Sequence, residues 1–185
     1  MEEIRIGLQT FVPTPAQLPG RMNVFAFERY KVIIDYAHNP AGMEAMGRFV
    51  GSLGADFTTA IIAGTGDRRD QDLKDYSRMA AEYFDELIIW KDEDYARGRD
   101  SSEVMNLILE GAQSTPGKTN IQVILDEDEA VDHALERARP NSVICIFTGR
   151  IEAMTSKINR NKEKEVDLDI SEEDIPNIGL STDEQ

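Results

Sequence analysis

Five short apolar runs, each followed by a polar turn and most of those by a helix-period segment, constrain this fold most. The runs are Lys31–Asp35, Thr58–Ala63, Glu86–Trp90, Ile121–Leu125 and Ser142–Thr148. Val32, Ile33 and Ile34 follow one another without a polar residue, the pattern of a strand buried on both faces. Between the runs lie segments with helical periodicity: Pro40 to about Leu53, Asp70 to Tyr83, Ser101 or Ser102 to about Ala112, and Asp128 to Ala138. Met43, Met46, Phe49 and Val50 share one side of the first, and Leu73, Tyr76, Met79 and Ala80 form the inner stripe of the second. Strands alternating with such helices make βαβ units with right-handed crossovers. The expected architecture is α/β: three layers, a mostly parallel sheet of about six strands, helices on both faces. Asn23–Glu28 supplies the remaining strand or hairpin arm, and Gly149–Asn159 one more short helix.

A chain of 185 residues with 41% hydrophobic content can build one packed core. The flanks differ in kind. Residues 2–9 resemble the last turns of a helix, and Thr10–Gly20 carries Pro13, Pro15, Pro19 and Gly20, a linker composition. From Arg160 onward Lys and Glu, then Asp, Glu and Ser, leave too few apolar groups to offset ordering entropy. The expected division is 1–20 (end of a preceding domain and linker), 21–159 (the α/β domain) and 160–185 (an acidic mobile tail).

Net charge is −15, which argues against a nucleic-acid partner and against an anionic membrane surface. No apolar run has spanning length, and the start lacks a signal peptide's basic and apolar regions. The single cysteine, Cys145, lies inside an apolar run, so no internal disulfide forms; the expectation is a buried thiol and a cytoplasmic setting. His133 sits in a helix beside Asp132, and no spacing matches a zinc set.

Chemistry concentrates in the turns. In an open α/β sheet, ligands bind outside the carboxyl ends of the strands. Asp35–Asn39, Gly64–Asp70 and Lys91–Arg99 each follow a run, so they should share one rim. In the first, Asp35 can accept from ribose hydroxyls or hold the turn itself. His38 can stack on a base, orient a phosphate, or bond a backbone carbonyl. Asn39 can cap the helix that Pro40 opens. In the second, Gly64-Thr65-Gly66 admits close backbone approach, and Asp67 with Arg68 and Arg69 forms either an ion pair or an anion grip. In the third, Asp92, Glu93 and Asp94 suit a guanidinium or ammonium, and Arg97 or Arg99 a carboxylate; a solvated loop is the plainer reading.

Four stretches together resemble a known family: L-P-G-R (Leu18–Arg21), D-Y-A-H-N-P (Asp35–Pro40), G-D-R-R (Gly66–Arg69) and D-E-D-Y-A-R-G-R (Asp92–Arg99). In order and wording they resemble the C-terminal, Rossmann-like domain of the Mur ligases, ATP-dependent amide-bond ligases, and within them the cyanophycin synthetase branch. That branch builds an aspartate backbone carrying arginine. The resemblance spans about residues 1–150.

It implies ATP and magnesium as cofactors, held mainly by a central ATPase domain that would be this domain's partner, and an amino acid as substrate. It implies Arg21 as the catalytic and ATP-reaching residue, Asp35, His38 and Asn39 beside the nucleotide, and Asp67 and Arg68 at the rim. Asp92, Asp94, Arg97 and Arg99 would meet the incoming amino acid. Peptidoglycan ligases carry D-N-P-R at that place and this chain does not, so a different acceptor is expected. Folylpolyglutamate or peptidoglycan ligation, or a non-catalytic module of the same fold, are the other expectations. With no P-loop in its length, the chain is expected to be an excised domain or the end of a longer polypeptide, inactive alone.

Overall fold

The computed structural model describes residues 17–115, 117 and 119–173. The helix expected at 2–9 and most of the linker lie outside these residues. Six strands form one sheet: β1 (Asn23–Ala26), β2 (Tyr30–Asp35), β3 (Phe57–Ile62), β4 (Glu86–Ile89), β5 (Asn120–Val123) and β6 (Ser142–Phe147). Their spatial order is β1-β2-β6-β3-β4-β5. β1 is antiparallel to β2, and every other pairing is parallel. Among the described residues five helices cover it: α1 (Pro40–Ser52), α2 (Asp70–Tyr83), α3 (Ser101–Gln113), α4 (Glu127–Glu136) and α5 (Ile151–Glu173).

The unbroken apolar runs are explained by two cores. Successive side chains of a strand point to opposite faces. Ile33 faces Met43, Met46 and Val50 of α1, with Leu73 of α2 and Ile108 of α3 in the same cluster. Its neighbours Val32 and Ile34 face Ala130 and Val131 of α4 and Met154 and Ile158 of α5. All three strand residues are fully buried. Helices therefore lie on both faces, as the sequence pattern requires. β5, an edge strand, departs from this pattern: its residues are half-buried or exposed, and it stops at Val123, leaving Leu125 in solvent.

Helix starts follow their caps. Asn39 Oδ1 accepts the Gly42 N–H at 2.8 Å, and Pro40 needs no partner in the first turn. For α3, which begins at Ser101, the cap is Asp100: its Oδ1 accepts the amides of Ser102 and Glu103 at 2.8 and 3.0 Å. A carboxylate there also meets the positive end of the helix dipole.

The last helix is longer than the sequence suggests. It continues through Glu173, well past Asn159, where a tail was expected. Lys and Glu are good helix formers, and the helix is anchored rather than free. Lys157 reaches Asp128 and Asp132 at 3.2 and 2.8 Å, and the Glu165 carboxylate accepts the Glu28 N–H of the β1–β2 turn at 3.2 Å. Among the described residues no helix is long and apolar enough to cross a membrane.

Candidate functional site

Because β2, β3, β4, β5 and β6 run parallel, their carboxyl ends open onto one rim. The three polar loops meet there. The Gly66 N–H donates to the Tyr95 carbonyl at 2.8 Å, joining the second loop to the third. Arg99 Nη1 donates to the Arg68 carbonyl at 3.3 Å, and Arg68 Nη2 contacts His38 Nε2, joining the second loop to the first. Arg68 has only donors, so His38 Nε2 accepts. Nδ1 then carries the ring proton and donates to the Tyr36 carbonyl at 2.9 Å.

The Leu18–Arg21 turn is pinned to the same place. Gly20 takes φ of 70°, and Asn23, fully buried, accepts its N–H at 2.7 Å. The Gly20 carbonyl accepts from Tyr36 N–H at 2.9 Å. Asp35 completes the tie: Oδ2 accepts the Met22 N–H at 2.8 Å and Oδ1 the Ala37 N–H at 2.7 Å. At 7% exposure Asp35 holds the turn from inside; the structure realises its turn-holding alternative. The result presents Arg21 to solvent, its guanidinium 5.5 Å from the centre of the Tyr36 ring.

The other candidates divide into free and engaged groups. Asn39 caps α1 from an exposed position. Asp67 is exposed, 4.0 Å from Arg68 Nε, so the ion pair is long. Asp94 and Arg97 are exposed; Arg97 lies over the Tyr95 ring, with φ of 50°. Asp92 turns inward, its Oδ1 accepting the Tyr95 N–H at 3.0 Å, and burial pushes its carboxyl up. Arg99 is fully engaged by protein: Asp70 at 2.9 Å, Glu103, and the Arg68 carbonyl. It clamps loops together instead of facing outward.

Sequence reasoning passed over Trp90, Glu127 and Arg150. Glu127, at the start of α4, has a side chain 1% exposed and pairs with Arg150 at 3.1 Å. With Trp90 and the Lys91–Asp94 stretch they line a cleft of about 430 Å³. The signal for them is strand-end position alone: Trp90 follows β4, Glu127 follows β5 and Arg150 follows β6, and all three strands end at this rim.

Four of the six buried polar side-chain atoms without a hydrogen-bond partner among the described residues belong here. They are Thr65 Oγ1, Arg68 Nε, Trp90 Nε1 and Glu127 Oε1. Buried polar groups are normally satisfied, so their concentration at one rim marks it as a place for a ligand or ordered water.

The comparisons agree with this geometry. The pattern of the family described as Mur ligase, glutamate ligase domain matches residues 20–150. The cyanophycin synthetase of Crocosphaera subtropica is 39% identical over 160 residues, covering 86% of this chain and 18% of that protein. The cyanophycin synthetase of Synechocystis is 40% identical over 164 residues, covering 88% of this chain and 18% of that protein. The chain thus spans under a fifth of the length of these relatives. The fold matches the bifunctional folylpolyglutamate synthase/dihydrofolate synthase of Yersinia pestis complexed with AMPPNP and Mn ion. There the TM-score is 0.63 at 20% identity, over 85% of this chain and 34% of that one. With the family pattern matched across most of its length and relatives of about 40% identity on nearly all of it, the chain belongs to the Mur ligase family, as its glutamate ligase (C-terminal) domain.

Proposed function

We propose that this domain closes over the nucleotide and amine of an ATP-dependent amino-acid ligase, with Arg21 as its catalytic residue. The observation that carries the reading is the position of Arg21, an exposed cation pinned by buried backbone bonds to the rim where His38, Arg68 and the acidic third loop meet.

The residues present suit a phosphate-bearing ligand. Among the described residues Arg68 Nε and Thr65 Oγ1 are donors without hydrogen-bond partners, and Arg21 is an exposed guanidinium over the Tyr36 ring at the same rim. ATP, with magnesium held mainly by a central domain, supplies the phosphoryl group that activates a carboxylate as an acyl phosphate. Arg21 stabilises the charge that develops on the phosphoryl oxygens. His38, fixed by Tyr36 and Arg68, and Asn39 border the nucleotide; Asp35 positions Arg21 through the Met22 amide. Asp67 and Arg68 form the wall between nucleotide and acceptor. Asp92, Asp94 and Arg97 face the incoming amino acid, and Arg99 positions that loop. Holding amine and acyl group together supplies much of the acceleration. The acceptor reaction is arginine addition to a polyaspartate chain, the finer reading that the similarity to cyanophycin synthetases supports.

The test uses a longer ligase carrying this domain. Arg21→Ala should lower kcat by about 10²–10³-fold, the usual loss for one transition-state donor, with the KM for the acceptor little changed. The 185-residue chain alone should show no ATP-dependent ligation. Unchanged kcat in Arg21→Ala sinks the reading. Turnover with a folate or muramyl acceptor instead of aspartate and arginine reassigns the substrate.

A further inference from the structure

Of the 430 Å³ cleft, the side formed by Glu127 and Trp90 has no role in the reading above. Glu127 lies there with its side chain 1% exposed. Its Oε2 takes Arg150 Nη1 at 3.1 Å, and the same nitrogen serves Asp128 at 3.2 Å. Its Oε1 makes no hydrogen bond of good geometry, although the Thr148 hydroxyl stands close enough to favour the charged form. Burial pushes the Glu127 carboxyl up, and the nearby charges of Asp92 and Asp128 push the same way. Asp92 is itself raised by burial, so two carboxylates disfavoured as charges line the same cleft.

Two such groups are stabilised when a cation enters. Among the described residues no group of three or more His, Cys, Asp or Glu side chains is placed to cage a metal ion. An organic cation fits. The cleft has the size of an amino-acid side chain, and the Trp90 ring forms part of its wall. A guanidinium is planar, carries five donors and stacks on aromatic rings, so it can serve both carboxylates and the indole together. An ammonium is a compact point charge and cannot.

We propose that Glu127 and Asp92 form a pocket for the guanidinium group of a basic amino acid, with Glu127 setting its specificity. The proposal rests on the reading that this rim receives an amino-acid acceptor, and it adds the place where the side chain is read.

Trp90 is the only tryptophan in the chain, so its emission reports on this cleft. L-Arginine titrated into the 185-residue chain should change that emission. L-Citrulline, nearly the same shape without the charge, should not do so over the same range. Glu127→Gln should weaken arginine binding by about tenfold or more, as expected when a buried charged partner is lost. Asp92→Asn should weaken it as well. Glu129→Gln, exposed on the same helix, should leave it unchanged. Urea midpoints confirm that each variant is folded. A citrulline or lysine response equal to that of arginine, no response to arginine, or full affinity in Glu127→Gln overturns the pocket. A longer ligase indifferent to Arg21, in a protein whose arginine binding still needs Glu127, would remove the nucleotide reading and leave the pocket standing.

Discussion

Gly66→Ala should destabilise the domain by about 2–4 kcal/mol, the upper range for overpacking against groups that cannot yield. A Cβ at this position would sit 1.7 Å from the Ala96 carbonyl oxygen and 2.5 Å from its carbon, both backbone atoms. No rotamer change relieves such a contact. The second and third loops would have to separate, breaking the Gly66–Tyr95 hydrogen bond. A urea titration followed by circular dichroism measures the loss, and Trp90 emission should shift as its cleft opens. Gly51→Ala gives the opposite sign. Gly51 lies in α1 with nothing within 4 Å of its added Cβ, so alanine there should stabilise the helix by about 0.5–1 kcal/mol. A Gly66→Ala variant as stable as the parent would mean that the loops are not joined as described.

Asp35→Ala should cost about 3 kcal/mol, because it strips the acceptors from the Met22 and Ala37 amides in a largely buried site. Met22 sits at φ of 48°, an uncommon conformation for a side chain of its kind, and the bond to Asp35 helps hold it there. Losing that bond frees the segment bearing Arg21. In a longer ligase the damage should therefore appear in kcat as it does for Arg21→Ala, although Asp35 does not face outward. Asp35→Asn keeps one acceptor and should lose about half as much stability. Amide chemical shifts of Met22 and Ala37 report the two bonds separately. An Asp35→Ala protein with unchanged stability would show that the turn is held by something else.

The physical reasons for what could be read in the chain are specific. β2 was legible because Val32, Ile33 and Ile34 are buried on opposite faces, which only a covered parallel sheet demands. The rim was legible because parallel strands have no choice about where their ends point. Asp35 was ambiguous because a carboxylate after a strand serves a ligand or the backbone equally well; only the placement of the Met22 and Ala37 amides distinguishes them. Glu127 was signalled only by following the end of β5. An acid in the first turn of a helix is ordinary, and nothing local says that it is buried under a rim. The length of α5 was hidden by distance, since its contact at Glu28 lies far away in the chain.

The place of β6 in the sheet bears on how the domain comes into being. Of the six strands described, Ser142–Phe147 is the last in chain order, yet it inserts between β2 and β3 and bonds to both. Before it arrives, the nascent chain holds a hairpin on one side and a three-stranded piece on the other, each with an unpaired edge. Ribosome stalling or a nonsense codon ahead of Ser142 would therefore leave two halves that never unite, a species suited to aggregation and chaperone capture.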